Sequence, residues 1–145
     1  MRISDVLRSK GDNVVTVTSG TDVAGLLTVL AEHHIGAVVV SDDGTTLTGI
    51  VSERDIVRAL AARGAAVLSE PVTAIATTAV TTVEPDTPLA DVERLMTERR
   101  FRHVPVVVAG NLRGIVSMRD VVQNRIDELE TERATLTGYI TGERS

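Results

Sequence analysis

The heptapeptides GIVSERD at residues 49–55 and GIVSMRD at residues 114–120 agree at six of seven positions across a separation of 65. Such self-similarity marks a duplicated supersecondary unit, and the flanking sequence extends it. Residues 15–60 align with residues 81–126: Val17 falls on Val83, Thr21 on Thr87, Val23 on Leu89, Leu26 on Val92 and Leu30 on Met96. The offset is 66 up to the glycine turns at Gly44 and Gly110 and 65 beyond them. The lead-in segments correspond as well, ISDVL at residues 3–7 with VTAIA at residues 72–76.

Periodicity supplies the elements. Val23, Leu26, Leu27 and Leu30 recur at helical spacing, with Thr21 as the expected N-cap. GAVVVS reads as a short β-branched strand, DDG as a turn, LTGIVS as a second strand, and ERDIVRALAAR as a helix stopped by Gly64. In the second copy Pro88 is expected at the first helical position. Each unit is thus β-α-β-β-α, an α/β class. Units of about 50 residues bury too little surface to stand alone, so the two are expected to stack on a shared aliphatic core. The connector AARGAAVLSEPV lacks the polar Gly/Ser character of a flexible tether and reads as an intramolecular link.

Composition excludes several functions. Cysteine is absent, which removes disulfides, thiolate catalysis and thiolate zinc sites. Phe101 and Tyr139 are the only aromatic residues, so a planar ligand must lie between aliphatic side chains and peptide planes. The net charge is −5, and the segment 127–145 carries five acids (Asp127, Glu128, Glu130, Glu132, Glu143) against Arg133 and Arg144. An acidic chain without a basic stripe is poorly suited to nucleic acid. No apolar run approaches the roughly 18 residues of a membrane span, and MRISDVLRSK lacks a signal-peptide core. A cytoplasmic location is expected.

Ser-x-x-Asp inside each heptapeptide has two compatible readings. As a capping box, Ser52 and Ser117 satisfy orphan helix N–H groups while Asp55 and Asp120 reach back. As a ligand seat, the same helix N-terminus suits a phosphate, and the carboxylate one turn in suits vicinal ribose hydroxyls. Gly49 and Gly114 are expected to permit close backbone approach. The spacing does not separate the two readings.

The β-α-β-β-α unit carrying Gly-Ile-Val-Ser-x-Arg-Asp after its last strand resembles the CBS domain, the cystathionine-β-synthase-type regulatory module, over about residues 3–126. The resemblance implies two repeats related by pseudo-twofold symmetry as one tandem module: residues 1–65 with the lead-in, then residues 66–126, followed by an acidic helix or tail at residues 127–145. It also implies adenine nucleotide in clefts between the repeats. By position, Asp55 and Asp120 match the family's ribose-binding aspartate, Ser52 and Ser117 its hydroxyl near phosphate, and Arg54 and Arg119 a phosphate-side contact. FRHVPV at residues 101–106 matches the segment that faces phosphate and flanks adenine, making Arg102 and His103 candidate phosphate partners. The equivalent positions of the first copy are Gly36, Ala37, Val38 and Val39. Gly36 and Ala37 offer close packing against a ring instead of charge, so two unequal sites are expected.

The remaining features have plainer readings. The basic cluster Arg99, Arg100, Arg102 and His103 fits the rim of one phosphate site better than an RNA surface. His33 and His34 are adjacent at a helix end and diverge by about 100°, unsuited to chelating one metal. No catalytic triad, P-loop or paired catalytic carboxylates occur; neither catalysis nor a metal is expected. Ile126, Leu129, Leu136 and Ile140, interrupted by Arg133, read as a helix with an apolar seam. That seam either packs back on its own module or pairs with a second subunit; the resemblance to CBS pairs, which commonly assemble as disc-like dimers, implies the pairing, and the residues after Gly142 are expected to fray. The whole reads as a dimeric, non-catalytic sensor of AMP, ADP or ATP acting on an unidentified regulated protein. The alternatives are a ligand-free scaffold and a sensor of S-adenosylmethionine or NAD(H).

Overall fold

The computed structural model describes residues 1–11 and 13–140. In chain order these form α1 (Ile3–Lys10), β1 (Thr16–Val17), α2 (Val23–His33), β2 (Ala37–Val40), β3 (Gly49–Ser52) and α3 (Glu53–Arg63). Two 3-10 turns follow (Gly64–Ser69 and Val72–Ala74), then α4 (Leu89–Arg99), β4 (His103–Val108), β5 (Asn111–Ser117) and α5 (Met118–Ile140). The first repeat is the expected β-α-β-β-α unit, with β1 parallel to β2 and β2 antiparallel to β3. The second repeats it as an antiparallel β4–β5 pair, but its first strand is reduced to one parallel bridge, Val83 to Val106. Val83 donates to the Pro105 carbonyl and accepts from Val107. The next donor the ladder needs is residue 85, a proline without an N–H, so pairing stops.

Helix starts differ from expectation by one residue. α2 is capped by Asp22, whose carboxylate accepts from the Gly25 N–H at 2.7 Å, because the Thr21 hydroxyl pairs with Thr18 instead. Pro88 is the N-cap of α4 and stays extended, with ψ 139°, so Leu89 is the first helical residue. The carboxyl ends repeat each other: His34 closes α2 and Arg100 closes α4, both left-handed, at φ 53° and 59°. The hairpin turns are made by Gly44 and Gly110, at φ 80° and 81°, where a side chain is disfavoured.

The two repeats do not share one core. Val17, Val23, Leu26, Leu30, Val38, Val40, Val51 and Ile56 form a cluster completed by Val67 and Val72 of the connector. Val83, Leu89, Val92, Met96, Val104, Val106, Val116 and Val121 form the other, completed by Ile3 and Val6 of α1. Each lead-in therefore packs away from the repeat that follows it in sequence. The backbone crossings are pseudosymmetric: Ile3 N–H donates to Thr87 O and Leu89 N–H to Met1 O, both at 3.0 Å. In the first repeat, Val72 N–H donates to Thr21 O at 2.8 Å and Val23 N–H to Glu70 O at 2.9 Å. The conformations are less symmetric, since α1 is a two-turn helix and Val72–Ala74 a single 3-10 turn. Gly49 and Gly114 serve these crossings. A Cβ on Gly49 would stand 3.0 Å from Thr77 O, and one on Gly114 2.6 Å from Leu7 Cδ2, so the close approach is made by the protein's own chain.

Ile3 is fully buried in the second repeat's cluster. Ile3→Ala is expected to destabilise the protein by about 2–5 kcal/mol in a denaturant titration. Hydrogen exchange is expected to accelerate first in α4, β4 and β5; acceleration confined to α2, β2 and β3 would contradict the crossed packing.

Candidate functional site

Because each repeat lends a segment to the other, the groove between them is lined by both. It holds a cavity of about 550 Å³, within the range of small-molecule sites. The first repeat contributes Gly36, Ile50, Ser52, Glu53, Arg54, Asp55 and Arg58. The crossing segment contributes Thr77, Ala79, Val80 and Thr81, and the second repeat Arg99, Arg100, Phe101, Arg102 and His103. Arg102 and His103 thus sit with the first copy's Ser-x-x-Asp. Ala37 is buried in β2 opposite Ser52 and does not reach the lining, whereas its neighbour Gly36 does.

Ser52 and Asp55 form a complete capping box. Asp55 Oδ2 accepts from the Ser52 N–H at 2.9 Å and from Ser52 Oγ at 3.1 Å; the Asp55 N–H reaches Ser52 Oγ at 3.4 Å. The Glu53 N–H donates to Gly36 O at 2.9 Å, tying the start of α3 to the residue that leads into β2. Asp55 Oδ1 has no partner among the described residues. The box thus holds the carboxylate in place by one oxygen and leaves the other able to accept from two vicinal hydroxyls.

Around this acceptor the lining is cationic, with Arg54 and Arg58 on its own helix and Arg99, Arg100 and Arg102 from the other repeat. Five arginines (Arg54, Arg58, Arg99, Arg100, Arg102) line the cavity against two acids (Glu53, Asp55), in a chain whose net charge is −5. Concentrating like charge in a cleft favours an anion. Arg54 is already used in part: its Nη1 donates to Arg100 O at 3.3 Å, linking α3 to the left-handed end of α4. His103 lies against Gly36, where an added Cβ would come within 3.5 Å of Cε1. Burial, first, and the neighbouring Lys10 charge hold its imidazolium below the ordinary value, against the opposing pull of Asp120 and Glu53.

The second copy of the motif is built alike but is not open in the same way. The Ser117 N–H donates to Asp120 Oδ2 at 2.8 Å, the Asp120 N–H to Ser117 Oγ at 3.1 Å, and the Met118 N–H to Arg102 O at 2.7 Å. Lys10 Nζ from α1 lies 2.6 Å from Asp120 Oδ2 and 2.7 Å from Ile115 O. Partial burial pushes the Asp120 carboxyl up, but the Lys10 contact and the Ser117 N–H outweigh it and hold it below the usual range. Arg119 is exposed at the start of α5. Lys10, Arg58 and residues 77–81 escape sequence reading because they lie outside both heptapeptides; Lys10 and residues 77–81 enter through the chain crossing, and Arg58 from further along α3. The offset of Arg58 from Ser52, six residues along the same helix, is the one local signal for any of them.

His33 ends α2 and His34 caps it. Among the described residues no cluster of three or more His, Cys, Asp or Glu side chains is placed to hold a metal. No helix among them is long and apolar enough to cross a membrane.

The model of the CBS domain matches residues 3–62 and again residues 72–127. The chain is 34% identical over 148 residues to the mitochondrial CBS domain-containing protein CBSX3 of Arabidopsis thaliana, covering 97% of this chain and 72% of that one. It superposes on a CBS-domain containing protein from Agrobacterium tumefaciens with TM-score 0.83 and 41% identity, over 86% of this chain and 99% of that one. A CBS domain protein of Pyrobaculum aerophilum complexed with AMP matches with TM-score 0.73 and 32% identity, over 83% and 89% of the two chains. The CBS domain pair of protein MJ0100, in complex with 5′-methylthioadenosine and S-adenosyl-L-methionine, matches with TM-score 0.78 and 25% identity, over 88% and 98%.

The depressed His103 value has a measurable consequence. The folded state takes up this proton less readily than the unfolded chain, so the unfolded chain binds more protons just below the ordinary histidine value, about 6.5. Stability is therefore expected to fall as pH drops through that value, and His103→Gln to flatten the slope in urea titrations. An unchanged slope would show that His103 is not shielded as described.

Proposed function

The chain belongs to the CBS domain family, and from that premise we propose that it is a non-catalytic regulatory module that binds AMP, ADP or ATP in the cavity between its repeats. The observation that carries this reading is the juxtaposition of a ribose-type acceptor, Asp55, with an arginine-lined wall from the other repeat. The ribose hydroxyls donate to Asp55 Oδ1. The phosphates lie toward Arg99, Arg100, Arg102 and His103, with Ser52 and Arg54 at the helix start. With Phe101 the only aromatic residue in the lining, adenine rests between Gly36, Ile50 and the peptide planes of residues 77–81.

The arginine wall separates this reading from its nearest rival. S-adenosylmethionine, present in one related structure, carries a sulfonium cation where nucleotides carry phosphates, and a site with five arginines opposes it. Binding changes a partner only if ligand and partner favour the same arrangement of the repeats. Residues from both repeats line the cavity, so a bound nucleotide stabilises one such arrangement. The reading places the protein in the cytoplasm, although a relative is named as mitochondrial.

The module acts as a homodimer through α5. Past the second repeat this helix is partnered by little of its own chain, and Leu129, Leu136 and Ile140 are 54%, 60% and 81% exposed. With Val122, Ile126 and Arg133 they fall at alternating four- and three-residue steps, the coiled-coil seam. Parallel pairing would set Arg133 against its own copy; antiparallel pairing sets it against Leu129, so the antiparallel arrangement is preferred. The expected fraying after Gly142 lies outside the described residues.

Calorimetric titration tests the nucleotide reading. Wild type is expected to bind AMP, and Asp55→Ala to lose about 1–3 kcal/mol of affinity for it. Arg102→Ala should weaken ATP more than adenosine, and affinity for AMP should rise as pH falls from 8 to 6 because phosphate recruits a proton to His103. Silence toward AMP, ADP and ATP up to millimolar concentration would overturn the reading. For the dimer, Leu129→Glu with Leu136→Glu is expected to give a monomer by light scattering; retention of the wild-type mass would place the interface elsewhere.

A further inference from the structure

Resting on the nucleotide reading, we propose that Lys10 is a built-in occupant of the second repeat's ribose-type site, so that the module takes one nucleotide per chain and leaves the second aspartate internally liganded.

The two motifs share their backbone N–H bonds, the Ser52 Oγ–Asp55 Oδ2 contact being particular to the first. Ser52 and Asp55 correspond to Ser117 and Asp120, and the bond from Glu53 N–H to Gly36 O to that from Met118 N–H to Arg102 O. What differs is the chain that crosses in front of them. Before the first motif, residue 77 exchanges two backbone bonds with Ile50, each 2.9 Å, which satisfies Ile50 O without touching Asp55. Before the second, the acceptor equivalent to Ile50 O is Ile115 O. It receives the Lys10 ammonium at 2.7 Å, and the same ammonium spans to Asp120 Oδ2 at 2.6 Å. The ammonium thus shares the capping oxygen of Asp120 with the Ser117 N–H and pairs with the carboxylate that vicinal hydroxyls would otherwise approach, satisfying two acceptors at once.

The placement is supported from behind. Lys10 is the last residue of α1, whose Ile3 and Val6 are anchored in the second repeat's core, and Gly11 ends the helix with its N–H on Leu7 O. The lysine is delivered by a packed helix and not by a free arm, so the contact costs less side-chain ordering than a surface pair does. The arginine wall is also directed elsewhere: Arg99, Arg100 and Arg102 line the first cavity, and Arg119 is exposed at the start of α5.

AMP titrations of wild type, Lys10→Met, Asp55→Ala and the Lys10→Met/Asp55→Ala double variant test this. Expected numbers of full-affinity sites per chain are about one, about two, none (the first site being weakened by the loss of Asp55) and about one, since removing the lysine frees Asp120 whether or not the first site is impaired. One AMP per chain in Lys10→Met, with wild-type affinity, would overturn the occupancy proposal and leave the nucleotide reading standing. Two per chain in wild type would overturn it as well. No binding in any variant would refute the nucleotide reading itself and this proposal with it. A ligand-independent readout is the His103 imidazole titration followed by NMR. His103 faces Lys10 from α1, Asp120 from α5, Glu53 from α3 and its neighbour Arg102. Removing Lys10 deletes a cation and exposes the Asp120 charge, so its pKa should rise in Lys10→Met. No change would mean that the ammonium does not sit at Asp120.

Discussion

The exchange of lead-in segments is the constraint on which the rest depends. Five backbone hydrogen bonds fasten the exchanged segments, three between residues 1–4 and the second repeat and two between residues 70–72 and the first. Each fastening carries fully buried side chains with it, Ile3 and Val6 on one side, Val67 and Val72 on the other. Neither repeat completes its aliphatic core without a segment that precedes the other. In a protein with two aromatic residues and no cysteine, that interlock supplies the long-range burial that a 50-residue unit cannot generate alone.

The cavity follows from the same exchange. The strand-to-helix junction of the first repeat brings Ser52 and Asp55 to the groove, and the crossing chain passes Gly49 closely enough to exclude any side chain there. The loop after α4 then closes the opposite wall with arginines. Capping and binding do not compete in such a site. The box immobilises the carboxylate through one oxygen and leaves the other for a ligand, so a good cap becomes a preorganised acceptor. The second motif shows the alternative fate of the same geometry, with an ammonium delivered to it by the exchanged helix.

Much of this was legible in the residues. The duplication, the elements of each repeat, the glycine turns, the capping boxes and the helical apolar seam all follow from local pattern, and local pattern survives folding. Three things did not. The expectation of a single shared core failed because periodicity says which face is buried, not which neighbour buries it. The repeated glycines Gly49 and Gly114 suggested close backbone approach at the ligand seat, where the room is taken by Thr77 and Leu7. Lys10 carried no signal at all, being a lone lysine before a glycine until the chain crossing sets it on Asp120. The second repeat's missing strand was readable in retrospect, since Pro85 removes the donor its ladder requires.

The most direct measurement is a crystal structure of the full chain with AMP. The account expects the ribose hydroxyls on Asp55 and the phosphate among Arg99, Arg100, Arg102 and His103, with one nucleotide bridging the two repeats. A nucleotide seated with its ribose on Asp120 and its phosphate at Ser117 and Arg119, leaving the arginine-lined cavity empty, would contradict it.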